Sequence, residues 1–452
     1  MSDELDAGDH GPMKRLNTMF SSLQEKFHRD RSDGDSTLPR PTAQVVTSAQ
    51  NQSHLFFEYL VVVSLRKKRG EGTYEPQITY QFPKLANMRR SQKEEEEKSL
   101  KAILLFCFPE GVNWAPLTEY ASETFSFVLT EVDGSRRNGY CRRLLIFDEV
   151  EKRRQISMAM IYPFMQSLRE APFPAPGSTV KIKSFIPESG TEVISLTRPL
   201  DSWLEHVDFR TLFRCLTDEE VLRVFASTVL ERRIIFMADE LSTLSQVLHA
   251  VAALLYPFTW QHTFISIVPS VLIDVVMAPT PYLLGVQKNK LDDVIDQSDM
   301  LIVDLTEGAE NTFITCIGDE STILPEKLQE ELLQALCCRK DNSTSEELNK
   351  VVSEAFLSFF VKTVGHFPSH VKRRSGGQPG VFQIKSFCKA SEPKASRQFV
   401  KRFIQTQMFD LFIQEVERQP TQEGFFHQKI AEYQQSKKKE KAKRGWVTGL
   451  VV

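Results

Sequence analysis

Between Leu241 and Ile273 the chain runs for 33 residues without an Asp, Glu, Lys or Arg. Such a stretch predicts a buried core. Leu241, Leu244, Val247, Leu248, Val251, Leu254 and Leu255 recur at helical spacing, and Pro257 stops the helix. Apolar Ile234–Met237 precedes this helix, and Thr263–Val268 and Tyr282–Val286 follow it. The order strand, helix, strand predicts a βαβ unit with a right-handed crossover. Leu301–Leu305 and Thr312–Ile317 extend the sheet. Thr217 or Asp218 caps a preceding helix over Glu219–Leu230.

Upstream, Leu55–Leu65 is rich in Val, Phe and Tyr and predicts a buried strand, with Glu58 the exception. Ile78, Tyr80 and Phe82 alternate with Gln77, Thr79 and Gln81, the period of a half-buried strand. Glu94–Glu97 opens a helix whose acids suit its positive end, with Leu100, Ile103 and Leu104 facing inward. Phe125, Phe127 and Leu129 alternate again, Asp133-Gly134 marks a hairpin turn, and a strand returns through Tyr140 to Ile146. The module reads β-β-α-β-β. Asp148–Leu168 predicts a helix, ended by Pro172, Pro174 and Pro176. Ile182–Ile186 and Glu192–Leu196 predict two short strands, and a helical region runs through Phe213 and Leu216.

From Leu324 the pattern predicts helices only, over Glu326–Leu336, Glu346–Val364 and Ser396–Val416. Val400, Ile404, Met408, Leu411 and Phe412 form the inner stripe of the last. Residues 371–394 read as a loose loop. Residues 1–50 read as a disordered arm with a short amphipathic stretch at Leu16–His28, and Lys437–Arg444 as a solvated end rather than a lipid site.

Composition narrows the function classes. At 41% hydrophobic and 25% charged residues most of the chain can fold, and ~100–200 residues per domain suggests two to four domains. A net charge of −3 gives no global pull toward nucleic acid or anionic membrane. The seven cysteines are scattered with no CxxC pair, which predicts reduced thiols, no zinc site and a cytoplasmic setting. The amino-terminal acids oppose a secretory signal. The charge-free run is no membrane span, because Ser242, Thr243, Ser245, Gln246, Pro257, Gln261 and Pro269 interrupt it.

Catalytic patterns are missing. No GxxxxGK[ST] loop and no GxSxG elbow occurs. His366 and His370 are four apart, but Pro368 between them opposes a helical metal pair. His249 on the core helix reads as structural. Asp239 and Glu240 follow a strand, where α/β sheets place ligands, and Asp239 is expected to cap the helix. No cofactor, metal or covalent catalyst is expected.

Specific strings then appear. Phe56-Phe-Glu-Tyr-Leu60, Tyr74-Glu-Pro76 and Ile78-Thr-Tyr-Gln-Phe-Pro83 resemble the start of a DENN module. Leu196-Thr-Arg-Pro-Leu-Asp201 resembles the entry to its central part. Glu231-Arg-Arg-Ile-Ile-Phe236, Leu241-Ser-Thr-Leu-Ser245, Ala252-Ala-Leu-Leu-Tyr-Pro257 and Trp260-Gln-His262 resemble its core, completed by Ala278-Pro-Thr-Pro281 and Gly285. The likeness is to the second subfamily of the DENN family and covers about residues 54–430.

The resemblance implies a tripartite α/β fold: a disordered arm at 1–53, a longin-like α/β lobe at 54–170, a linker at 171–195, a central α/β core with βαβ units at 196–323, a helical part at 324–430 and a basic tail at 431–452. It implies a guanine-nucleotide exchange factor for a Rab GTPase in vesicle traffic, the Rab nine type of late endosomes favoured, with peripheral recruitment to trafficking membranes. Ser242, Thr243, Gln261 and His262 are the expected Rab contacts. One departure stands out. Only Ile146-Phe147 separates Cys141-Arg-Arg-Leu-Leu145 from Asp148-Glu-Val-Glu-Lys-Arg-Arg154. Roughly two dozen family residues are missing there, so the first lobe is shortened and an edge strand uncovered. A non-catalytic Rab-binding adaptor is therefore the alternative, and an α/β enzyme with a pocket near Asp239 a third reading.

Overall fold

The computed structural model describes residues 57–67, 74–83, 90–111, 123–130, 135–143, 166–172, 174–175, 178–186, 190–197, 207–294, 299–309, 311–339, 343–372, 380–392, 394–418 and 424–448. The amino-terminal arm, the Asp133-Gly134 turn, residues 148–165 of the expected helix and the Leu145–Asp148 junction lie outside them.

The first module has the expected element order, with two differences in detail. Strand β1, Leu60–Lys67, pairs antiparallel with β2, Tyr74–Phe82. It is not buried as expected, because Leu60 and Val62 are exposed on its outer face. On β2 the alternation holds, with Phe82 buried. Helix α1 spans Arg90–Cys107, beginning four residues before Glu94, so the acids fall outside its first turn and the dipole argument lapses. Its inner residues include Leu100 and Phe106, the latter stacked on Phe127 at 5.0 Å. Strands β3, Glu123–Thr130, and β4, Arg136–Arg143, form a pair of their own. The β3–β4 tip, described at residues 129–130 and 135–138, belongs to a separate compact unit. Cys107 is buried as a small hydrophobe would be. Its hydrogen bond with Cys141, together with burial, pushes its thiol up. A second hairpin pairs β5, Thr179–Ile186, with β6, Gly190–Thr197.

The central lobe starts with α2, Phe209–Cys215, and α3, Asp218–Val229. Thr217 caps α3 reciprocally: its hydroxyl oxygen accepts from the Glu220 N–H, and Glu220 accepts from the Thr217 N–H. Strand β7, Arg233–Ala238, helix α4, Leu241–Ala253, β8, Thr263–Ile265, β9, Tyr282–Gln287, β10, Leu301–Asp304, and β11, Phe313–Thr315, follow. The sheet order is β11-β10-β7-β9-β8. β10, β7, β9 and β8 run parallel, and β11 pairs antiparallel with β10. β7 and β8 therefore flank β9 rather than pairing directly. Both faces of the sheet are covered, which is why β7, β9 and β10 read as continuous apolar runs. Two expectations need correction. β8 stops at Ile265, because Ser266 turns toward the first module. The charge-free run also surfaces at its end, where Val271 is 55% exposed.

The downstream part contains α5, Glu326–Leu336, and α6, Ser345–Val364. It is not purely helical, since β12, Val371–Lys372, pairs with β13, Val381–Phe382. The expected loose loop holds α7, Ile384–Ala390, whose Phe387 is fully buried. His366 stacks on Phe387 at 4.2 Å, and burial lowers its pKa. The helix expected over Ser396–Val416 breaks into α8, Arg397–Phe403, and α9, Gln407–Arg418. Helix α10 runs from Phe425 to Thr448.

Phenylalanine joins the central and downstream parts. Of the 32 in the chain, Phe225 on α3 meets Phe356, Phe359 and Phe360 edge-on at 4.7–5.7 Å. Phe258, after α4, meets Phe360, Phe403, Phe409 and Phe412 at 4.9–6.0 Å. Edge-to-face rings add attraction beyond their buried area. Among the described residues no helix is long and apolar enough to cross a membrane.

Candidate functional site at the lobe seam

Among the described residues, three hydrogen bonds fasten the first module to the central lobe. Glu123, opening β3, accepts from the Ser242 backbone N–H at 2.8 Å. Ser266 donates its hydroxyl to the Ser126 carbonyl at 2.9 Å. The Ser270 N–H donates to the Pro109 carbonyl at 2.7 Å. The first bond is a helix cap supplied from elsewhere in the chain. Glu240, not Asp239, holds the cap position of α4, and its side chain gives no capping bond. The Ser242 N–H would be an orphan without Glu123. A carboxylate at the positive end of α4 is also favourable electrostatically. Glu123→Ala is expected to cost about 1 kcal/mol. The check is amide exchange at Ser242, which should speed up about fivefold; unchanged protection would refute the cap.

The first module is braced beside the seam. Arg143, closing β4, forks onto Glu110 through two bonds of 2.7 and 2.9 Å. Its guanidinium carbon lies 5.7 Å from the Phe108 ring centre. Across the seam the segment Ser270–Met277 winds as a 3-10 helix, with Val271 and Met277 at 55% and 58% exposure. Large apolar side chains at that exposure, beside a polar seam, suit a protein partner.

The four residues expected to touch a partner fall into two groups. Ser242 and Thr243 lie at the start of α4, at the carboxyl edge of the sheet. Ser242 is half-buried at the seam. Thr243 is 7% exposed and gives its hydroxyl to Glu240 at 3.1 Å. Gln261 and His262 lie beyond the other end of α4, roughly 20 Å away along the helix. Gln261 is exposed and donates to the Thr259 carbonyl at 3.0 Å. His262 is turned inward, its Nε2 3.0 Å from Glu231 Oε2 and its ring 5.4 Å from Trp260. The structure does not gather the four into one patch.

Glu231, which the sequence offers only as the first residue of a family string, has a structural role of its own. It sits at φ 52° in the turn before β7. Its carboxylate accepts the Gln407 and Met408 N–H groups at 2.8 Å each. Thr406 Oγ1 takes the next, from Phe409, at 3.3 Å. The first turn of α9 is thereby satisfied, and this is what breaks the expected long helix at Ile404–Thr406. Next to it Arg232 pairs with Asp319 at 2.6 Å. Gly285 could have been flagged, since a glycine inside a strand often marks close approach. A Cβ there would stand 2.0 Å from the Ser266 carbonyl oxygen.

A cavity of about 650 Å³ opens at the carboxyl edge of the sheet, lined by residues including Lys288, Asp304, Thr306 and Phe313. Asp239 is not in its wall. Its polar groups satisfy one another: Lys288 Nζ meets Asp304 at 2.9 Å, and Thr306 donates to Asp304 at 2.7 Å. Burial pushes the Asp304 carboxyl up, but the bonds from Lys288 and Thr306 prevail and hold it below its usual range. That mutual pairing disfavours the enzyme reading, which needs polar groups directed at a ligand. Among the described residues no group of three His, Cys, Asp or Glu could hold a metal ion.

These parts define a protein of the tripartite DENN class, and the chain belongs to the DENN-domain family: the uDENN domain matches residues 76–144, the DENN (AEX-3) domain 140–308 and the dDENN domain 382–429. It is 56% identical to DENN domain-containing protein 2D of Homo sapiens over 416 residues, covering 85% of this chain and 88% of that protein. The Mus musculus counterpart is 56% identical over 419 residues, covering 86% and 88%. DENN domain-containing protein 2B of Homo sapiens is 46% identical over 421 residues, covering 84% of this chain and 37% of that protein. Membership is consistent with action on Rab GTPases in general. The human 2D alignment spans 416 positions with only 85% of 452 residues, so roughly thirty positions of that relative have no counterpart here.

Proposed function

We propose that this chain is a guanine-nucleotide exchange factor that promotes GDP release from a Rab GTPase, with the Rab nine type of late-endosomal traffic as the favoured substrate. Membership of the DENN family across all three parts carries the reading. Exchange needs no nucleophile or metal of the factor's own. A surface that binds the nucleotide-free GTPase more tightly than the loaded one shifts the population toward the empty form, and GTP refills it. The seam supports such a surface. It has a half-buried polar centre at Ser242 and apolar flanks at Val271 and Met277, on elements held by the Glu123, Ser126 and Pro109 bonds. Gln261 is a second, separate contact. Thr243 and His262 act by holding the backbone around them. The protein works in the cytoplasm and at the surface of trafficking membranes.

The test is release of a fluorescent GDP analogue from a panel of Rab proteins at substoichiometric chain. Acceleration of the Rab nine type above the others is the expected result. No acceleration of any Rab, with Rab binding retained, would establish the second reading: a non-catalytic adaptor. The shortening read from the sequence at Leu145–Asp148 favours that alternative, because a shortened first lobe has less surface to set against the GTPase.

A further inference from the structure

The seven cysteines are scattered along the chain, but the fold brings two of them together. Cys107 closes α1, Cys141 lies on β4, and their thiols share a hydrogen bond. Both are free thiols, Cys107 buried and Cys141 half-buried. Contacts on either side hold the two elements against each other. Gly139, Cys141 and Arg143 share the inner face of β4, as alternate strand residues do. A Cβ on Gly139 would stand 2.3 Å from the Phe127 ring, which in turn stacks on Phe106 at 5.0 Å. On the other side Arg143 forks onto Glu110, with its guanidinium carbon 5.7 Å from the Phe108 ring centre. Cys107 stands between Phe106 and Phe108, and Cys141 between Gly139 and Arg143, so the thiols meet inside a contact anchored at both ends. They are not equivalent. The hydrogen bond from Cys107 favours the Cys141 thiolate, burial opposes it and the Arg143 guanidinium supports it, which together hold Cys141 below the usual thiol range. The same bond, with burial, pushes Cys107 up.

We propose that Cys107 and Cys141 form a modification site, a dithiol that a hydroperoxide converts reversibly to a disulfide, with Cys141 reacting first and Cys107 resolving. Cys141 is the thiol with access to solvent, and it has a cation beside it. Its thiolate attacks one peroxide oxygen. The S–O bond forms, the O–O bond breaks, and the departing hydroxide takes up the proton that Cys141 released. The Cys107 thiol then attacks the sulfenic sulfur of Cys141. The S–S bond forms and a second water leaves with the Cys107 proton. The two thiols lose two electrons and two protons, and one peroxide becomes two waters. Two equivalents of a small thiol such as glutathione reverse the change through a mixed disulfide. In a reducing compartment such a bond is transient, which suits a sensor rather than a staple. The link would tie the end of α1 to β4 two residues from Pro109, whose carbonyl holds the Ser270 N–H across the seam. Oxidation therefore stiffens the first-module side of that seam.

The experiment treats the folded full chain with hydrogen peroxide, blocks the remaining thiols with N-ethylmaleimide, and maps the linked peptides by mass spectrometry. A link between Cys107 and Cys141 is expected, lost again on treatment with glutathione. Exposed Cys316 is the internal reference. Oxidation of Cys316 with Cys107 and Cys141 left unlinked overturns the proposal, and this readout needs no variant. Cys107→Ser should stop the reaction at the sulfenic acid, so that dimedone labels Cys141. Cys141→Ser should leave Cys107 unlabelled. Labelling of Cys107 in the second variant, with none of Cys141 in the first, overturns the order of attack. Cys316→Ser should form the link as the parent does, and matching melts of the reduced proteins exclude misfolding. Amide exchange at Ser270 should slow about threefold when the parent is oxidised and stay unchanged in Cys141→Ser. Equal exchange in the oxidised and reduced parent overturns the effect on the seam. No Rab enters these measurements, so this proposal and the exchange reading fail separately.

Discussion

Glu231→Ala is expected to lower stability by about 3 kcal/mol and to loosen the downstream helices from the central sheet. The side chain is 8% exposed and its carboxylate accepts from two donors, the Gln407 and Met408 N–H groups, with His262 Nε2 3.0 Å away. Truncation strands two backbone donors at the start of α9, where no water replaces the acceptor easily. The backbone gives an internal control. Glu231 occupies the left-handed region at φ 52°, which costs a non-glycine residue about 1 kcal/mol. Glu231→Gly loses the same bonds but relieves that strain, so it should be less damaging than alanine by about that amount. Denaturant unfolding measures both, and amide exchange at Gln407 and Met408 locates the loss. If alanine and glycine are equally mild, the carboxylate is not the clamp described.

Gly285→Ala should cost about 3 kcal/mol. Gly285 lies mid-strand in β9, paired with Phe236 of β7. An added Cβ would stand 2.0 Å from the Ser266 carbonyl oxygen and 2.9 Å from its carbon. Both are backbone atoms, so no rotamer change relieves the clash. The neighbouring contact is also tight, with the Val268 N–H donating to the Gly285 carbonyl at 2.7 Å. Moving residues 266–268 carries a second consequence, because Ser266 holds Ser126 of the first module. The melting temperature should fall by about 6 °C or more, with faster amide exchange at Ser270, whose partner is Pro109. An unchanged melt would mean that the approach of these two backbones is not obligatory.

How much of this could be read from the sequence follows from the range of each interaction. β2, β3, β7 and β9 announce themselves through local alternation or continuous apolar runs. The α3 cap is legible because Thr217 and Glu220 are three residues apart. The α8–α9 break is not, since the carboxylate that imposes it lies 176 residues away from Gln407. Nor is the α4 cap, whose acceptor Glu123 is 119 residues from Ser242. Without those partners visible, Asp239 was the natural choice of cap and Ser396–Val416 the natural single helix. The four expected contacts lie apart for a related reason. Ser242-Thr243 and Gln261-His262 belong to neighbouring strings, but the length of α4 intervenes and delivers them to opposite edges of the sheet. The closeness of His262 to Glu231 is likewise invisible in the sequence, where Glu231 reads as an ordinary charged turn residue.

The exchange account rests on a difference in affinity between two states of one GTPase. The most direct test is the dissociation constant of this chain for a Rab of the nine type, measured once with the Rab nucleotide-free and once loaded with GDP. The account predicts binding to the nucleotide-free form tighter by about a hundredfold or more. Equal affinity for the two forms would contradict it, because a ligand that does not discriminate between states shifts neither.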